Sequence, residues 1–134
     1  MTNQKEMVQI KKDPNREKIG YETGATREAK DGKGNFYLIS PRVLRRLALH
    51  MEAGAKNHAP RNWEGGIPYS SFYDSMIRHL LAWLQNKVEG TKGEEDHLAA
   101  ALWNLHGLVH TEEMVRDCRV PVSLDDIKIG REDV

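Results

Sequence analysis

The sequence predicts an all-α fold: a small bundle of three to four main helices with an irregular N-terminal arm, a C-terminal tail and a tendency to form oligomers. Three observations predict it. Apolar residues recur at helical spacing in three separate segments. Each segment opens on a cap-type residue. The connectors between them are short, and are polar or rich in Gly and Pro. The organisation expected is an arm over 1–35, a helical domain over 36–117 and a tail over 118–134.

In the arm, Gly20, Gly24, Gly32 and Gly34 interrupt any helix. Lys33, flanked by two of these glycines, can close over an anion or stay a solvated lysine. Helix one is expected to begin at Ser40-Pro41, a cap residue followed by proline at the first helical position. Val43, Leu44, Leu47, Ala48, Met51 and Ala55 then share a face. A loop from Ala59 to Pro68 follows. Helix two is expected from Ser70 or Ser71, because Ser71 and Asp74 have capping-box spacing. Its stripe is Phe72, Met76, Leu80, Trp83 and Leu84. Helix three is expected from Thr91, whose spacing to Glu94 fits a second capping box, with Leu98, Ala101, Leu102, Leu105, Leu108 and Val109 inside. The acidic tail after Cys118 either docks or wanders. Three such helices enclose a thin core, so self-association into a homo-oligomer is expected.

Composition narrows the function. Twenty Lys and Arg balance twenty Asp and Glu, so there is no broad basic field for nucleic acid. No polybasic amphipathic segment suits a membrane surface. The single cysteine allows neither an internal disulfide nor a Cys-based zinc site. Met1 to Lys12 lacks the apolar core of a signal peptide, so the cytoplasm is the expected compartment.

Polar residues at the edges of the stripes are the candidate chemistry. Glu52 and Lys56 lie one turn apart on helix one; an ordinary surface pair also has this spacing. On helix two, His79 falls near the core boundary, and Arg78 lies one turn from Asp74. Glu94, Glu95, Asp96 and His97 suit the positive end of a helix dipole. His97 and Asn104 share a side of helix three with only alanines between them, and an asparagine in an apolar helix needs partners. In the loop, Arg61, Asn62 and Trp63 offer a planar cation, an amide and a flat ring beside a Gly-Gly turn. The same trio also suits a loop anchored by one tryptophan. No Walker loop, Rossmann glycine pattern, His-Glu-x-x-His helix or nucleophile elbow is present.

Taken in order, the segments form a pattern. They are Gly24-Ala25-Thr26-Arg27, Asp31-Gly32-Lys33-Gly34, Leu38-Ile39-Ser40-Pro41 and His50-Met51-Glu52-Ala53-Gly54-Ala55-Lys56. Arg61-Asn62-Trp63-Glu64-Gly65-Gly66-Ile67-Pro68, Arg78-His79-Leu80, Asp96-His97-Leu98-Ala99-Ala100 and Trp103-Asn104 follow. Over roughly residues 22 to 113 this resembles the phage dATP/dGTP diphosphohydrolases, relatives of the all-helical MazG-like pyrophosphohydrolases. The resemblance implies hydrolysis of a purine deoxynucleoside triphosphate (dNTP) to monophosphate and pyrophosphate, in control of the nucleotide pool. It also implies Mg²⁺ or Mn²⁺ held by helix carboxylates. The sequence departs from that pattern in having one acidic helix start rather than two Glu-rich helical motifs.

On this basis Glu52, Glu95 and Asp96 are the expected metal carboxylates. Glu52, His79, Asp96 and His97 are the expected catalytic set. Lys56, Arg61 and Arg78 are expected on phosphates, Trp63 on the purine and Asn104 at a polar substrate edge, with Lys33 and Asn62 also expected to bind the substrate. Two alternatives stay open: an HD-type nucleotide phosphohydrolase, and a non-catalytic helical module that binds a nucleotide or a protein.

Overall fold

A computed structural model describes residues 17–29 and 31–128. Of the expected arm and tail, residues 1–16, 30 and 129–134 lie outside the described residues. The described chain divides between Ile39 and Ser40 into two compact units.

The first unit corrects the expectation of an irregular arm. β1 (Lys18–Gly20) pairs antiparallel with β2 (Thr26–Glu28), with Ile19 opposite Arg27. The turn between them needs a left-handed residue, and Gly24 supplies it at φ +86°. Glycine thus makes a hairpin here rather than merely interrupting a helix. Lys33 Nζ lies 3.6 Å from Glu28, with both side chains about half exposed. Such a pair adds at most about 1 kcal/mol.

The second unit carries three helices: α1 (Pro41–Gly54), α2 (Tyr69–Glu89) and α3 (His97–Arg116). α1 begins as expected, with Ser40 Oγ accepting from the Val43 amide at 3.4 Å and Pro41 at the first position. α2 begins one residue earlier than expected, after Pro68, and its first turn has no cap of its own. The Ser71–Asp74 capping box does not form; Asp74 pairs with Arg78 instead. The free Ser70 amide is satisfied from the tail, where Asp126 Oδ1 accepts it at 2.9 Å and Oδ2 accepts the Ser70 hydroxyl. Leu124 also lies against Gly66. The described tail is therefore docked.

The hydrogen bonds from Ser70 hold the Asp126 carboxyl below its usual 3.8. A carboxylate with a lower pKa folded than unfolded stabilises the fold above that value and loses the contribution as pH falls. Asp126→Asn is therefore expected to lower the melting midpoint at pH 7 and to flatten its fall below pH 4. Melting curves across an acid series check this.

α3 begins six residues later than expected. Gly90 adopts φ +67°, and the Thr91 amide bonds to Asn86 O at 2.9 Å, so Thr91 closes α2 rather than opening α3. The cap of α3 is Asp96, whose Oδ1 accepts from the Ala99 amide at 3.1 Å. At the other end Arg119 N bonds to Met114 O and Cys118 N to Val115 O, which places Cys118 in the left-handed region at φ +56°. Cys118 is exposed and packs against little. Cys118→Gly is expected to stabilise the chain by about 1 kcal/mol, measured by urea titration.

α2 and α3 run antiparallel, since Phe72 meets Gly107 and Trp103 while His79 meets His97. The core is the seam between them: Phe72, 1% exposed, sits against a face of α3 on which Ala99, Ala100, Asn104, Gly107 and Thr111 are buried. Of the expected inner face Ala101 is buried, but the leucines and Val109 are not. Small residues let the helices approach closely, so Leu105 and Val109 are left 45% and 55% exposed. α1 runs in the same sense as α3, with Arg46 at Asp96 and His50 near Trp103, and it buries no residue fully. No helix among the described residues is long and apolar enough to cross a membrane.

Candidate functional site

The opening of α3 brings three ligand-type side chains together. His79, at the middle of α2, meets His97 in the first turn of α3, with Nδ1 atoms 3.0 Å apart. Glu95, in the loop before α3, places Oε1 3.8 Å from His79 Nδ1 and Oε2 3.8 Å from His97 Nδ1. The three donor atoms lie within 4.8 Å of one another, the one such His, Cys, Asp or Glu group among the described residues. Burial pushes the His79 ring below its usual 6.5; the Glu95 charge opposes that shift, and the smaller effects of His97, His50 and Arg78 reinforce it. A neutral ring is the form that ligates a cation.

The donor set can be tested for fit. Two cis ligands on an ion with bonds of about 2.1 Å stand about 3.0 Å apart. The imidazole pair has that spacing, and the carboxylate oxygens stand 3.8 Å from the two ring nitrogens. Two imidazoles and one carboxylate suit a transition ion such as Mn²⁺, which accepts ring nitrogen alongside oxygen, better than Mg²⁺, which prefers a shell of oxygens. One ring donating to the other also satisfies the pair, so the spacing suits a cation without requiring one.

A cavity of about 860 Å³ lies between the end of α1, the loop after it and α3. Its wall is aromatic. Trp63 stands edge-on to Trp103, His106 and His110, with ring centroids 6.2, 5.3 and 4.8 Å away. His50 lies 6.1 Å from Trp103, and its charge is felt at both His79 and Asp96. His50 belongs to the cavity wall and not to the imidazole–carboxylate cluster.

The expected site residues separate into groups. His79, Glu95 and His97 converge. Glu52, Arg61, Asn62 and Trp63 line the cavity. Arg61, in the left-handed region at φ +61°, is tied to Glu64 at 2.5 Å yet is 79% exposed. The expected metal set of Glu52, Glu95 and Asp96 does not gather among the described residues. The Asp96 carboxylate is engaged: Arg46 donates to Oδ2 at 2.9 Å and to Oδ1 at 2.5 Å, clipping α1 to α3. That hydrogen bonding holds the Asp96 carboxyl below its usual 3.8. Arg78 bonds to Asp74 on the exposed face of α2. Lys56 forms no ion pair with Glu52 and is absent from the cavity wall. Asn104 is 4% exposed, and its Nδ2 donates to Ala100 O at 2.9 Å, so its helix answers its need for a partner. Lys33 belongs to the first unit.

Arg46, His106 and His110 were missed by sequence reasoning. The signal for the histidines was available: Trp103, His106 and His110 have i, i+3, i+7 spacing and share a face of α3.

The second unit is a small all-α domain that carries an imidazole–carboxylate cluster and an aromatic-walled cavity. The chain belongs to the family described as dATP/dGTP diphosphohydrolase, N-terminal, whose model matches residues 23–118. No curated protein and no solved structure matched the chain.

Proposed function

We propose that this chain hydrolyses purine dNTPs to the monophosphate and pyrophosphate, acting on the cytoplasmic nucleotide pool. In this reading His79, Glu95 and His97 hold a divalent cation, Mn²⁺ in preference to Mg²⁺. The observation that carries it is the convergence of those three donors at the start of α3, the helix that also lines the aromatic cavity. The family's description as a dATP/dGTP diphosphohydrolase supports the choice of substrate.

A bound cation supplies charge neutralisation at phosphate and a more acidic water. The chain's own residues do the rest. Trp63 and Trp103 offer flat faces to the base. Arg61, exposed at the cavity, meets phosphate oxygens. Glu52, exposed in the same wall, accepts the proton of the water that attacks the α-phosphorus. The bond from that phosphorus to the bridging oxygen breaks, and pyrophosphate leaves. The apolar residues left exposed on α2, among them Tyr73, Leu81 and Leu84, support self-association.

A second reading, a binding module without turnover, draws support from the engagement of Asp96 by Arg46, which leaves one carboxylate at the imidazole pair. Incubation with each dNTP and Mn²⁺ or Mg²⁺, followed by product analysis, separates the readings. Monophosphate plus pyrophosphate is the expected result. Release of triphosphate or of a single phosphate would instead indicate HD-type chemistry. Ligand-induced thermal stabilisation without turnover would indicate a binding module.

A further inference from the structure

His106 stands in the cavity wall with its ring 5.3 Å from that of Trp63. Its Nδ1 is buried and meets no hydrogen-bond partner among the described residues. Its Nε2 also bonds to no protein group, but it is not sealed from solvent. A neutral imidazole carries one proton, and its position follows from this asymmetry. A buried N–H without an acceptor costs about 1–3 kcal/mol, and orphaned buried N–H groups are rarer than under-used acceptors. The proton therefore sits on Nε2. Imidazolium would need an N–H at both positions, and burial accordingly pushes the ring below its usual 6.5, with the charge of His110 adding to the effect.

We infer that His106 is a specificity residue, presenting a fixed Nε2–H donor to the cavity that selects a 6-oxopurine over a 6-aminopurine. This rests on the reading that the cavity takes the base. Guanine and hypoxanthine offer O6 as an acceptor next to N7, whereas adenine has an N6 amine there, which sets donor against donor. Since N7 is common to both purines, the discrimination comes from O6. The aromatic wall of Trp63 and Trp103 contributes stacking but no distinction between the two bases.

The test is equilibrium binding of dGMP, dIMP and dAMP without added metal, followed by tryptophan fluorescence. dIMP carries O6 without the 2-amino group, so it isolates the proposed contact. The expected result is that dGMP and dIMP bind on the order of tenfold more tightly than dAMP. His106→Leu is expected to abolish the difference, and His106→Gln, whose amide N–H reaches to about the position of Nε2, to restore it. Equal affinity for dGMP and dAMP in the wild-type protein overturns the inference, as does a folded His106→Leu that keeps the preference. Should the leucine variant fail to fold, nitrogen NMR of the wild-type His106 ring decides. Protonation at Nε2 with a shift on adding dGMP supports the inference, and protonation at Nδ1 overturns it. No binding by any of the three nucleotides overturns both this inference and the placement of the base. A purine preference that depends on His106, without triphosphate hydrolysis, would sink the enzymatic reading alone. Hydrolysis indifferent to His106 would sink this one alone.

Discussion

Alanine in place of His97 is expected to lower Mn²⁺-dependent dGTP hydrolysis at least about a hundredfold, the upper range for losing even an outer partner of a bound metal. The fold should persist, because His97 is only part-buried and its ring's one hydrogen bond is to His79. His79→Ala should behave alike, and the double variant should lose little more than either single one, since the two rings act on one ion. Asp96→Asn provides the contrast. Its amide oxygen can still cap α3, but the charged clip to Arg46 weakens. Both partners are roughly half exposed, so the loss should be about 1 kcal/mol of stability, with turnover reduced less than in the histidine variants. Full activity in His97→Ala, or abolished activity in a normally stable Asp96→Asn, would return the metal to the carboxylates.

The second large effect lies in the α2–α3 seam. Phe72→Ala is expected to cost about 3–5 kcal/mol, a large part of the 5–15 kcal/mol that holds a typical domain together. Phe72 is the largest fully buried side chain described. Gly107→Ala attacks the same contact from the other side. A Cβ there would lie 2.5 Å from Phe72 Cε1 and 2.9 Å from Cζ. A phenyl ring 1% exposed has nowhere to move, so overpacking should cost about 1–3 kcal/mol. The two changes share one space and should not add: alanine at 107 should be better tolerated once residue 72 is alanine. Urea titrations of the two single variants and the double variant measure this coupling.

The apolar period was legible in α1 and α2, which sustain it over several turns, whereas α3 is apolar nearly all round and was legible as a helix but not as a one-sided one. Helix starts were less legible. A Ser or Thr three residues before an acid is necessary for a capping box but not sufficient. At Ser71 a proline had already begun the helix, and Thr91 was taken up by the termination of α2. The inner face of α3 was misread because hydrophobicity ranks leucine above alanine, whereas close helix approach selects alanine, glycine and threonine. His79 and His97 could be singled out from the sequence, yet their 3.0 Å approach depends on antiparallel packing that a pattern along one chain does not encode. Asp96 looked like a ligand because its partner, Arg46, is fifty residues away. Trp63 anchors its loop on α3, as one of the two sequence readings has it, and its ring also lines the cavity.

Crystals grown with Mn²⁺ and measured at its absorption edge address the cation directly. The predicted outcome is one strong anomalous peak within bonding reach of both Nδ1 atoms, with the Glu95 carboxylate turned toward it. A peak coordinated instead by Glu52 or Asp96, or a well-ordered imidazole pair with no peak beside it, would contradict the account.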